Sequence, residues 1–176
     1  MDVGFVAQLA GARIGSTYNQ YADSPLRRGR LAAYLVEKDE APILLVAEAP
    51  GYRGTRVSGI PLTSERQLTG AGPAEATATI VHRVLIELGL ADEVLLWNLV
   101  PTHPGTSTSN RPPTREEIDA GELFLAPLVR SRLVIPVGRL AHARLGGRYV
   151  RHPSHGGAPA FRRGLAGALK GRAAVA

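Results

Sequence analysis

The stretch Ile43-Leu44-Leu45-Val46-Ala47-Glu48-Ala49-Pro50-Gly51 decides how this chain is read. Five apolar residues, mostly branched, have the pattern of a fully buried strand, and a carboxylate then stands at its C-terminal end, directly before a Pro-Gly break. Two later stretches repeat the design. Val94-Leu95-Leu96-Trp97-Asn98 ends in an amide, and Arg148-Tyr149-Val150-Arg151-His152-Pro153-Ser154 ends in an imidazole before another proline. If the three strands are parallel, Glu48, Asn98 and His152 meet in the crevice outside the carboxyl ends of the sheet, where open α/β folds bind their ligands.

Outward from these strands the chain alternates with helical patterns. Phe5, Val6 and Leu9 predict a helix over Asp2 to Ala12. The loop that follows carries Tyr18 and Tyr21, which serve as core plugs or as a rim for a flat ligand, the plug being the favoured reading. Ser24-Pro25 is an N-cap followed by proline at the first helical position, opening a helix through Leu31, Tyr34 and Leu35 to Pro42. Residues 49 to 72 form a long Gly/Thr/Ser/Arg-rich connection, and loops of that length are functional or disordered. Pro73 is expected to open the next helix, through Ile80, Val84, Leu85 and Leu88 to Gly89. After the Trp97-Asn98 strand comes a loop from Leu99 to Pro113, then a capping box, Thr114-Arg115-Glu116-Glu117, and its helix. Leu133 to Val137 is a third strand whose Pro136 suggests a sheet edge. A short helix from Gly138 to Leu145, the His152 strand and a basic helix from Ala160 to Leu169 complete the pattern. Such alternation predicts one α/β domain over residues 1–176, a parallel sheet covered by helices on both faces.

Composition narrows the chemistry. With 44% hydrophobic and 20% charged residues in 176, the chain is globular, and no apolar run approaches the ~20 residues of a membrane span. An acid near the N-terminus and the lack of a hydrophobic leader make the cytoplasm the expected compartment. Zero cysteines exclude disulfides, thiolate metal sites, iron–sulfur clusters and a cysteine nucleophile. His82, His103 and His142 lack the mutual spacing of a metal site and read as surface or helix-face histidines, so no metal and no cofactor are expected. Neither a P-loop nor a dinucleotide fingerprint is present. The net charge is +6, yet ten cationic residues and no acid follow Glu122, which leaves the first 122 residues at −4. The segment from Arg130 to Arg172 is nearly all arginine in its charge, which points to a polyanion as partner or to a merely solvated basic face.

The ordered set Ala47-Glu48-Ala49-Pro50-Gly51, Trp97-Asn98 and His152-Pro153-Ser154-His155-Gly156-Gly157 resembles the motifs of the uracil-DNA glycosylase superfamily. The branch it is most similar to is the bacterial one with a Glu-Ala-Pro-Gly first motif and no iron–sulfur cysteines. Gly51-Tyr52-Arg53-Gly54-Thr55-Arg56, Gly59-Ile60-Pro61-Leu62-Thr63-Ser64-Glu65 and Ser109-Asn110-Arg111-Pro112-Pro113-Thr114 extend the likeness, which spans about residues 17 to 169.

The resemblance implies a three-layer α/β/α sandwich and a monofunctional, metal-independent DNA glycosylase. Such an enzyme hydrolyses the N-glycosidic bond of a flipped-out uracil or other deaminated base and leaves an abasic site. It implies DNA, single- or double-stranded, as partner of a monomeric, nucleoid-associated enzyme without a membrane anchor. By match to the family's motifs, His152 donates to uracil O2 and stabilises the leaving anion, Glu48 positions the attacking water or accepts its proton, and Asn98 reads the base edge. Ala49 stands where classical members place an aspartate, Gly51 where they place the tyrosine that rejects the thymine methyl, and Leu62 where many stack a phenylalanine on the base. Ser154, His155, Gly156 and Gly157 would meet the DNA, with His155 as wedge because Gly156 replaces the family's leucine; Arg53, Arg56, Arg162 and Arg163 would contact phosphates. Two other readings remain: a damage-recognition protein on the same scaffold with little turnover, and a hydrolase of free nucleosides, which the arginine surplus disfavours.

Overall fold

A computed structural model describes residues 3 to 170. The expected positions Asp2 and Arg172 lie outside the described residues. Among these, the elements run α1 (Val3–Gly11), α2 (Pro25–Glu37), β1 (Ile43–Ala47), α3 (Thr55–Ser58), α4 (Glu65–Thr69), α5 (Ala76–Glu87), β2 (Val94–Asn98), α6 (Arg115–Val129), β3 (Leu133–Pro136), α7 (Arg139–Leu145) and α8 (Ala158–Leu169).

The sheet is parallel, in the order β2-β1-β3, so the stretch ending in Glu48 is the central strand. Its register sets Ala47 opposite Asn98 and Val46 opposite Pro136. Pro136 lies on an edge strand, where a missing N–H costs no ladder bond on the open side. All five residues of β1 and of β2 are buried because helices cover both faces. Leu44, Val46, Leu95 and Trp97 pack on one face with Val6, Leu9, Leu31, Leu35 and Phe124. Ile43, Leu45, Val94, Leu96 and Ile135 pack on the other with Val81, Leu85, Phe161 and Leu165. The result is the three-layer α/β/α arrangement that the sequence pattern predicts.

Local signals explain most boundaries. The Ser24 side chain accepts from the Arg27 N–H with Pro25 at the first helical position, and Thr114 and Glu117 close a reciprocal capping box. Tyr21 is fully buried and donates its hydroxyl to the Gly59 carbonyl, which makes it the expected plug. Tyr18 is only part-buried and lies under the Arg56 guanidinium, 4.7 Å from ring centroid to guanidinium carbon.

Three expectations are corrected. The His152 stretch is not a strand: Val150 makes one parallel bridge to Val137, its N–H donating to the Pro136 carbonyl and its carbonyl accepting from Gly138. Pairing stops there because the chain beyond Val137 turns away at Gly138, at φ +88°, into α7, so Arg151 and His152 have no strand to bind. Pro73 does not open α5, which begins at Ala76 with Glu75 in the N-cap position. The connection from 49 to 72 holds two short helices, the second capped by Ser64 and Gln67 and anchored by Glu65 paired with Arg30 at 2.8 and 2.9 Å.

Candidate active site

A cleft of ≈840 Å³ opens at the C-terminal ends of the strands, inside the ~300–1,000 Å³ range of ligand sites. Glu48, Ala49, Pro50 and Gly51 come into it from the end of β1, and Arg151, His152, Ser154 and His155 from the segment after Val150. Glu75, at the start of α5, and Asn110 and Arg111, from the loop after β2, supply the remaining polar wall. Arg139 and Arg151 give the rim positive charge. A shallower hollow of ≈510 Å³ continues from it along Arg139, Tyr149 and Arg151, with His142 added.

His152 is part-buried, and its ring is fixed by its neighbours. Nδ1 lies 2.8 Å from the Ser154 hydroxyl and 3.3 Å from the Ser154 backbone nitrogen. A backbone N–H can only donate, so Nδ1 is the acceptor and the neutral imidazole carries its hydrogen on Nε2. Burial, with His155 and Arg151 nearby, pulls its pKa below the ordinary histidine value, which favours that neutral form at pH 7. The Ser154 hydroxyl is thereby engaged with His152, and with His155 Nδ1 at 3.1 Å, and so orients the imidazole rather than waiting for a phosphate.

Glu48 is part-buried, and among the described residues nothing hydrogen bonds to its carboxylate, so burial raises its pKa. Glu75 is raised by the same cause. Neither Glu48 nor Glu75 pairs with a cation among the described residues, so both are disposed to take up a proton more readily than an exposed glutamate. No cluster of His, Asp and Glu fit to hold a metal ion occurs among the described residues.

Asn98 does not line the cleft. It is 1% exposed, at the end of β2 beside Ala47, and both its amide oxygen and its nitrogen are buried without a hydrogen-bond partner. Strand alternation turns it to the face of Val94 and Leu96, the face on which Leu62 packs. Leu62 is 8% exposed within that core cluster and does not line the cleft, so it is a core residue there and not an open stacking platform. Its φ of +52° is a conformation leucine seldom adopts, stabilised by the Thr55 hydroxyl accepting from its N–H.

The remaining expected contacts divide. His155 is exposed at φ +51° on the lip of the cleft, and Gly156 beside it has open space around it. Gly157 is buried against the His152 carbonyl, so its missing side chain serves the turn itself and not an approach to DNA. Arg53 is exposed, and Arg56 is stacked on Tyr18. Arg162 is held by Glu87 at 3.1 Å, whereas Arg163 is exposed and makes no ion pair among the described residues. Much of the C-terminal arginine surplus is similarly committed: Arg144 to Asp119 and Glu122, Arg132 to backbone carbonyls of Ala41 and Leu128.

Two residues were missed. Glu75 had no signal of its own, and only the paired glycines Gly51 and Gly54 hint that something must lie over them. His103 is neither a surface nor a helix-face histidine: it is fully buried, with Nδ1 2.7 Å from the Pro50 carbonyl and Nε2 2.8 Å from that of Thr106. It ties the loop after β2 to the loop after β1, as does Asn110, whose side-chain oxygen accepts from the Tyr52 N–H at 2.9 Å. His82 and His142 do lie on helices, α5 and α7.

The fold is similar to that in "The crystal structure of WT Pedobacter heparinus SMUG2", with a TM-score of 0.67 and 13% sequence identity over 98% of each chain. Among curated proteins, none matches in sequence. The family model described as "Uracil DNA glycosylase superfamily" matches residues 35–170, which take in the cleft from Glu48 to His155. The strand-end carboxylate, the oriented imidazole beyond β3 and that match together establish that the chain belongs to the uracil DNA glycosylase superfamily.

Proposed function

We propose that this protein hydrolyses the N-glycosidic bond of uracil in DNA and leaves an abasic site, using Glu48 and His152 and no metal. The observation that carries the reading is that these two side chains, distant in sequence, line one cleft, the imidazole with its Nδ1 accepting from Ser154 and the carboxylate with no hydrogen-bond partner among the described residues.

As the bond breaks, positive charge grows on the sugar and negative charge on the departing base. A neutral His152, with its hydrogen on Nε2, can donate to the O2 of the leaving uracil anion; the orientation by Ser154 keeps that hydrogen directed away from the turn. Glu48 as carboxylate favours the cationic sugar and takes the proton of the water that attacks C1′. Its raised pKa makes it the stronger base for that step. The buried, unpartnered amide of Asn98 matches uracil in type, accepting from N3–H and donating to O4, and cytosine would reverse the pattern. A base flipped into the cleft has to reach that amide behind the wall, so base reading follows from a shift at the strand end. Arg139, Arg151 and Arg163 suit phosphates and offset part of the few kcal/mol that flipping costs.

The test is incubation with a uracil-containing oligonucleotide followed by hot alkali, which should cleave the strand at uracil. No break at uracil in single- or double-stranded DNA would remove the enzyme reading. The damage-recognition alternative draws on the burial of Leu62, which offers a flipped base no stacking surface from that position. It predicts retarded gel mobility on uracil-containing DNA with no product.

A further inference from the structure

We infer that Glu75 is a specificity-determining residue that limits the bound base to the size of an unsubstituted pyrimidine, by filling the hollow which Gly51 and Gly54 leave in the cleft wall. The inference rests on the glycosylase reading and narrows its substrate.

Gly51 borders the cleft directly after the Glu48-Ala49-Pro50 motif, and its φ is not positive, so backbone conformation does not demand a glycine there. Crowding does. A Cβ built on Gly51 would collide with the Glu75 carboxyl group, and so would one built on Gly54. Two glycines of the β1 loop thus make room for one side chain delivered from the start of α5. Among the described residues, no hydrogen bond or ion pair of its carboxyl group explains that position. Glu75 occupies the N-cap site of α5 without capping it. Its backbone, by contrast, is fastened, since the Glu75 N–H donates to the Ser64 hydroxyl at 2.8 Å. Glu75 lines the same cleft as Glu48 and His152. A ring bound between the latter two meets a wall of fixed backbone and one carboxyl group, and a methyl substituent or a second ring has to displace that group.

The experiment compares excision of uracil with that of thymine opposite guanine and of hypoxanthine, by wild type, Glu75→Ala, Glu75→Gln and the double variant Glu75→Ala with Gly51→Ala. The wild type should favour uracil. Glu75→Ala should raise the thymine-to-uracil and hypoxanthine-to-uracil ratios of kcat/KM by tenfold or more, Glu75→Gln should leave them within about threefold of wild type, and the double variant, which refills the hollow from the other side, should bring the thymine ratio back down. Thermal unfolding of the same set should show Gly51→Ala destabilising the wild type more than the Glu75→Ala protein. A wild type that already removes thymine and hypoxanthine as fast as uracil would overturn the inference. So would a folded Glu75→Ala protein that cleaves uracil with unchanged ratios, and loss of all cleavage in folded Glu75→Ala and Glu75→Gln would make Glu75 a participant in the chemistry instead. A wild type inert on every base sinks the glycosylase reading, and the unfolding comparison then still decides whether Glu75 fills the hollow.

Discussion

Glu117, near the start of α6, and Glu48, directly after β1, differ in burial, and the more deeply buried of the two is the one that stays charged. The Glu117 side chain has no exposed surface, yet its pKa is lowered to about 2, first by the Arg111 guanidinium at 2.6 and 2.8 Å and also by the Thr114 and Ser16 N–H groups. Glu48 keeps part of its surface, and its pKa is raised because burial acts with no cation to oppose it. Partners, more than depth, therefore separate a carboxylate that holds the scaffold from one left available for chemistry. Arg162 and Arg163 repeat the contrast among cations, one held by Glu87 and its neighbour unpaired among the described residues.

The strongest challenge to this contrast is Glu48→Gln, which should lower uracil excision by about 10²–10⁴-fold, the usual worth of a general base. The same change replaces a carboxylate that burial disfavours, so thermal stability should hold or rise; activity within tenfold of wild type would break the comparison. Glu117→Gln should act in the opposite sense, costing on the order of 2 kcal/mol of stability in denaturant titrations, at the low side for a broken buried pair because Arg111 keeps 34% of its side chain exposed. The pH dependence sharpens the point. Glu117 is lowered on folding, so its contribution is present above the ordinary carboxylate pKa of 4.5 and is lost as pH falls toward about 2. Wild type should therefore lose stability over that interval more steeply than Glu117→Gln, and parallel curves would show that Arg111 does not hold the charge. The smallest effect is expected at the arginines: Arg163→Ala should reduce the slope of log affinity against log salt by about 1, and Arg162→Ala by less, since Glu87 already neutralises it.

What the sequence disclosed were features whose cause is local. The apolar runs of β1 and β2, the Ser24-Pro25 start and the Thr114 capping box need only their own neighbours, and each forms as its pattern predicts. Glu48 and His152 stood out because few polar side chains follow a short apolar run directly before a proline or one residue from it, and both line the cleft, although only Glu48 follows a strand. The His152 stretch failed as a strand for a non-local reason, the turn at Gly138 that withdraws its partner. Glu75 and His103 were not legible because their positions depend on packing between distant loops. Asn98 was read as a cleft residue from its strand end and Leu62 from a family motif, but both are buried, Leu62 within the core with its N–H bonded to the Thr55 hydroxyl.

The double fastening between the two loops has a mechanical consequence. With His103 against Pro50 and Asn110 bonded to Tyr52, the loops after β1 and β2 are joined like one jaw, and a nucleotide pressing on either loads both. The opposite wall, the turn from His152 to Gly157, is tied within itself, Ser154 to His152 and the Gly157 N–H to the Ser154 carbonyl, and carries an exposed histidine at φ +51°. On the proposed glycosylase reading, the bracing of the two joined loops would keep Glu48 in register with Asn110 and Arg111 across the cleft while a substrate seats.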